Sequence, residues 1–240
     1  MNSPALRFAG AFAAALSVTS LFAQTAEPLD QPYPGALTLD VDLRDAARKI
    51  FRVHEVIPAK PGPLALHYPK WIPGEHGPTG TLDGVTGLVI TAGGKRVAWQ
   101  RDLVDMFTLR LTVPAGASAV EVDFQFLSPS GGANFGASAS VTSKLLVVEC
   151  NQVVFYPAGH FARRVMIHPS AMLPAGWGFA TALERASETG GKVQFKPIDL
   201  ENFVDSPLIA GKNFKRVDLA PGVTPSAHLN LVAGASAGWR

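Results

Sequence analysis

The chain has 240 residues, 47% hydrophobic and 17% charged, with 21 lysines and arginines against 19 aspartates and glutamates. That is enough apolar material for one large domain or two small ones, and it excludes a disordered chain. A formal charge of +2 with no basic run excludes an electrostatic footprint for nucleic acid, and the single cysteine, Cys150, excludes an internal disulfide.

Met1 to Arg7 is a short segment with one positive charge, and Phe8 to Phe22 is an uncharged apolar run. Ala23 and Ala26 offer small residues for cleavage, and Glu27-Pro28 breaks the run. This pattern predicts a secretory signal peptide over 1–26, too short at its apolar core for a comfortable membrane span. An uncleaved anchor is the alternative, and the cleavage point is not fixed. The expectation is an exported protein, periplasmic or secreted, with no transmembrane segment after cleavage. Removing 1–26 takes away Arg7 and no acid, leaving a balance of +1. Residues 27–34 read as a linker, 35–233 as one domain and 234–240 as a tail.

From Gly35 the apolar period is two. Leu37, Leu39, Val41 and Leu43 alternate with polar residues, and Phe51, Val53 and Ile57 share a face opposite Arg52 and His54. Met106–Val113 and Val120–Phe126 alternate in the same way, the pattern of half-buried antiparallel strands. Ala92-Gly93-Gly94-Lys95 predicts a hairpin turn, and Pro114-Ala115-Gly116 another turn. Ser128 to Ser140 is rich in Ser, Gly and Ala and reads as a long loop. Cys150 follows the apolar run from Leu145 and reads as a buried strand residue. Leu200–Val204 predicts a short helical turn, and Thr181–Glu188 allows a second. The fold class is therefore all-β: an antiparallel β-sandwich with one or two short helical turns.

The familiar catalytic strings fail on inspection. His54-Glu55-Val56-Ile57-Pro58 begins like H-E-x-x-H but ends in proline and lies in a strand pattern, so its side chains cannot share one helix face. Gly234-Ala235-Ser236-Ala237-Gly238 matches G-x-S-x-G, but no acid or histidine follows it. No catalytic or metal-ligating residue is assigned. The informative segment is Tyr68 to Gly80, where Pro69 and Pro73 flank Trp71-Ile72 and Gly74 precedes Glu75-His76. It reads as an ordered loop at a sheet edge with Trp71 pinned in or near the core. Glu75 and His76 are candidate ligand or domain contacts, with turn-stabilising hydrogen bonds as the alternative. A site built from His54, His67, His76 and Glu75 requires that they converge in space.

The run Pro69-Lys70-Trp71-Ile72-Pro73-Gly74-Glu75-His76 resembles the N-terminal signature of the glycyl aminopeptidase family of zinc metallopeptidases, numbered sixty-one. Leu173-Pro174-Ala175-Gly176-Trp177 with Ala180-Thr181-Ala182-Leu183 resembles a second stretch of that family, and Val204-Asp205-Ser206-Pro207 with Gly211 a third. His228–Ala233 resembles the last strand before the family's catalytic domain. That thermolysin-like domain, with its H-E-x-x-H zinc helix, lies outside these 240 residues. The resemblance thus implies a non-catalytic N-terminal β-domain of an exported metallo-aminopeptidase, truncated or fragmentary, with no cofactor of its own. Its implied partner is a catalytic domain in the same polypeptide, met by the loop Trp71–Thr79 and the turn at Asp205. A free-standing periplasmic β-sandwich that binds a peptide or carbohydrate is the alternative.

Overall fold

The computed structural model describes residues 27–72, 74–129 and 140–235; the expected signal peptide and most of the Ser/Gly/Ala-rich loop lie outside them. In chain order the strands are β1 (Ala36–Asp42), β2 (Ile50–Pro58), β3 (Gly62–His67), β4 (Val85–Ala92), β5 (Lys95–Arg96) and β6 (Trp99–Arg101). They continue as β7 (Thr108–Val113), β8 (Ala119–Leu127), β9 (Leu145–Val148), β10 (Tyr156–Pro157), β11 (Met166–Met172) and β12 (Gly178–Thr181). The last are β13 (Arg185–Thr189), β14 (Lys192–Phe195), β15 (Ile198–Asp199), β16 (Leu208–Gly211), β17 (Asn213–Asp218) and β18 (His228–Ala233), with the helix α1 (Leu200–Val204) between β15 and β16.

The nine-stranded sheet runs β13-β14-β11-β1-β2-β8-β4-β5, with β15 also on β11. Its centre follows from the alternation: Leu37, Leu39 and Val41 of β1, Phe51 and Val53 of β2, and Val122, Phe124 and Phe126 of β8 point to one buried face. Phe51 pairs with Phe126 across the strands, their rings 6.2 Å apart, and each buried ring stabilises by about 2–3 kcal/mol. Smaller sheets, β10-β3-β7-β6 and β12-β16-β9, contribute Leu66, Leu109, Leu146 and Leu208 to the same core. A β17-β18 ribbon stands beside them.

The molecule is mostly β, as the alternation predicts, but not wholly antiparallel. β1 and β11 pair parallel from Ala36↔Met166 to Asp42↔Met172. Parallel neighbours need a long crossover, here supplied by everything between β2 and β10, and short-range alternation carries no record of such a partner. The second helical turn does not form either. Thr181 closes β12, its Oγ1 accepts from the Leu183 N–H at 3.2 Å, and the chain re-enters the sheet as β13. That local bond competes with a helix. The glycine hairpin does form: Gly93 and Gly94, at φ 56° and 74°, turn β4 into β5, positions where a Cβ is strained.

Segment 27–34, expected as a linker, lies against the domain. The Leu29 N–H donates to Gly159 O at 2.9 Å, the Tyr33 hydroxyl to Pro58 O, and Asp30 pairs with Arg163 and Arg164.

Candidate functional site

The loop after β3 is anchored by Tyr68, not by Trp71. Tyr68 is buried, its hydroxyl donates to Gln152 O at 3.0 Å, and its ring lies 5.2 Å from that of Phe155. Trp71, expected in or near the core, is 64% exposed. The pleat explains this: His67 faces outward, so Tyr68 turns inward, and after Pro69 the chain leaves the sheet. Its neck closes where Gly80 N–H donates to Lys70 O, so tightly that a Cβ at Gly80 would lie 2.0 Å from Pro69 O.

A second loop, 102–107, adjoins the first. Asp102 Oδ1 accepts from the N–H groups of Val104 and Asp105 at 2.8 and 2.9 Å, and its Oδ2 accepts from Arg110 Nε. Those backbone donors, followed by Arg110, bring the Asp102 carboxyl down to about 2. Asp105 accepts from Phe107 N–H at 3.3 Å, from Thr108 Oγ1 at 3.0 Å and from Lys70 Nζ at 3.1 Å, joining the two loops. Burial pushes the Asp105 carboxyl up, but Lys70, Thr108 and the Phe107 N–H outweigh it and hold it below the ordinary range. Two carboxylates therefore clamp a loop whose intervening side chains face water: Leu103 is 102% exposed and Val104 87%.

The ionised Asp105 fixes a tautomer. Thr108 has one hydroxyl proton and donates it to Asp105, so its oxygen accepts from His67 Nδ1–H at 2.8 Å. With the proton on Nδ1, the neutral ring keeps its lone pair on Nε2, and burial, opposed by Asp105, lowers the His67 pKa and so favours that neutral form. His67, Tyr156, Phe107, Lys70 and Asp105 line a cavity of about 620 Å³ whose rim includes Glu27 and Pro28.

The other expected residues do not assemble. Glu75 is half-buried with its N–H on Ile72 O, and His76 is exposed. Asp205 is exposed at the C-terminal end of α1, beside Ser206, whose carbonyl accepts from Cys150 Sγ at 3.0 Å. Among the described residues no ion pair joins Glu75, His76 or Asp205 to one another. His54 faces outward from the large sheet to Asp123 at 2.8 Å, whereas Glu55 faces the core and accepts from Phe155 N–H at 3.0 Å. His54 and His67 stand on different sheets and have separate partners, Asp123 and Thr108. No group of three or more His, Cys, Asp or Glu side chains is placed to hold a metal among the described residues. Cys150 is buried, though in a one-turn helix just after β9 rather than within a strand. Burial, then Glu149, pushes its thiol pKa up, which keeps it unreactive.

A family model described as the peptidase M61 N-terminal domain matches residues 38–212. The chain belongs to this family. Its fold is similar to that of an aminopeptidase N family protein from Idiomarina loihiensis, with a TM-score of 0.67 at 17% identity, covering 82% of this chain and 32% of that one. An M1 zinc metallopeptidase from Deinococcus radiodurans matches at 14% identity and a TM-score of 0.44, over 85% of this chain and 47% of that one. The M61-type β-domain described here thus spans about a third to a half of the length of these relatives. No curated protein matches. The parent family's zinc finds no matching donor set among the described residues, so no chemical step is assigned to this domain.

Proposed function

We propose that this chain is the non-catalytic N-terminal β-sandwich domain of an exported zinc metallo-aminopeptidase, a fragment of a longer polypeptide. It packs beside a peptidase domain of the same polypeptide, which carries the zinc and the hydrolysis. The observation that carries this reading is the clamped apolar surface on the two adjoining loops: Trp71, Leu103, Val104 and Met106 are all more than half exposed. Leaving large apolar side chains in water on a loop held rigid by Asp102 and Asp105 contributes nothing to this domain's own core. It does suit burial against a partner. The match to an N-terminal domain family, covering a third of a longer relative, supports the choice of partner. Export rests on the apolar run Phe8–Phe22.

An immunoblot of the native host followed by intact mass spectrometry tests this. A species far larger than 25.3 kDa, with peptidase activity lost on chelation of zinc, is the expected result. A single species just below 25.3 kDa overturns the parent-enzyme reading. It would favour the second reading, a free-standing periplasmic binding module, which the hollow outer face of the four-stranded sheet supports.

A further inference from the structure

The outer face of the four-stranded sheet is hollow along the length of β3. Pro63, Ala65 and His67 point outward there, opposite Thr112, Arg110 and Thr108 of β7. Two cavities, of about 620 and 700 Å³, lie along this face and share Pro63, Leu64 and Ala65. The small side chain of Ala65 leaves the floor low where they meet. One end deepens between Phe107, Tyr156 and His67; the other carries Gln100, Arg110 and Thr112.

We propose that this face is a binding groove for an extended peptide, with the pocket between Phe107, Tyr156 and His67 taking one apolar or aromatic side chain. Six residues of β3 span about 20 Å, and the outward positions recur every ~6.8 Å, the repeat of alternate side chains in an extended peptide. Polar atoms that a peptide amide can meet are in place. Thr108 orients the imidazole so that its Nε2 lone pair remains, on a ring lining the cavity, and Tyr156 adds a hydroxyl. The pocket's shape separates peptide from carbohydrate. The Tyr156 ring packs against His67, tilted 59° with centroids 5.5 Å apart, so the two rings make an angled corner of the cavity that Phe107 also lines, not a flat platform for a sugar. Lys70 and Asp105 neutralise each other at the wall, which leaves an apolar side chain the better occupant.

The inference does not depend on the docking reading, because the groove is complete within this chain. The test is calorimetric titration of the chain with acetyl-Ala-Ala-Phe-Ala-Ala-amide, the analogue with Asp in place of Phe, and maltohexaose. Saturable binding of the Phe peptide is expected, with the Asp analogue at least about tenfold weaker and no heat from the sugar. Ala65→Trp raises the floor on the solvent side and should weaken the Phe peptide by about tenfold or more with an unchanged melting curve. Gln100→Trp, at the exposed end, serves as the second variant should Ala65→Trp not fold. No saturable binding of the Phe peptide, equal binding by the folded variant, or binding of the sugar alone overturns the proposal. Leu103→Ser with Val104→Ser, which removes the two most exposed side chains of the docking surface, should leave this binding unchanged, so the two readings fail separately.

Discussion

Glu55 occupies a position between Leu39 of β1 and Val122 of β8, on the core face of β2. It is fully buried; one carboxyl oxygen accepts from Phe155 N–H, and Oε1 has no partner among the described residues. Burial pushes its pKa well above 4.5, against a smaller opposing pull from the Phe155 N–H. The folded state therefore holds a proton that the unfolded chain releases above pH 4.5. The contribution to stability is fully present below that pH and falls as pH rises toward the folded pKa, by up to about 1.4 kcal/mol per pH unit. Glu55→Gln, neutral at every pH, should flatten this decline. Guanidinium unfolding of both proteins between pH 5 and 8 decides it, and parallel slopes would refute the assignment. The alternation in β2 was readable, and Glu55 is the one charged residue on its inward face, yet periodicity cannot say that a carboxyl stays inside and neutral. The same limit applies to the aromatic pair in the next loop. Tyr68→Ala should cost about 3–5 kcal/mol and Trp71→Ala less than about 0.5, measured as the shift in unfolding midpoint.

Elements whose signals are local were legible, and those set by distant partners were not. α1 could be placed from Leu200–Val204 because its cap is adjacent in sequence: Asp199 accepts from the Asn202 N–H at 3.0 Å, and Leu200 and Phe203 face the core. Asp199→Ala should cost about 1 kcal/mol through loss of that cap, read as a lower denaturant midpoint at constant m-value. The Gly93-Gly94 turn was legible for the same reason. The Thr181–Glu188 stretch was missed for another reason: β13 pairs with β14 across the local Gly190-Gly191 turn, but all five of its residues are exposed, so it carries no apolar alternation. The His67–Thr108–Asp105–Lys70 chain was illegible too. Its members come from β3, β7 and the loops beyond, and only the register His67↔Thr108 brings them into reach. A histidine facing a threonine across an antiparallel pair leaves no trace in linear spacing.

At the scale of the whole molecule, the large sheet meets water on one face with paired charges and buries the other beneath the smaller sheets. Asp40 pairs with Lys192 and accepts from Ser170, and His54 meets Asp123, so that outer face is satisfied without a partner. The clamped loop at 102–107 is the contrast. Leu103 and Val104 make no contribution to the core cluster, and so replacing both with Ser should change folding stability by no more than about 0.5 kcal/mol. The expected consequence lies in solution behaviour instead. The unmodified chain should bind a hydrophobic dye and associate as its concentration rises, because an exposed apolar patch on a rigid loop finds other apolar surface. The double variant should remain monomeric and lose most of the dye signal. Sedimentation across a hundredfold range of concentration, with dye fluorescence in parallel, makes the comparison. Identical behaviour of the two proteins would mean that these side chains meet nothing, and the docking surface would then have to be sought elsewhere on the domain.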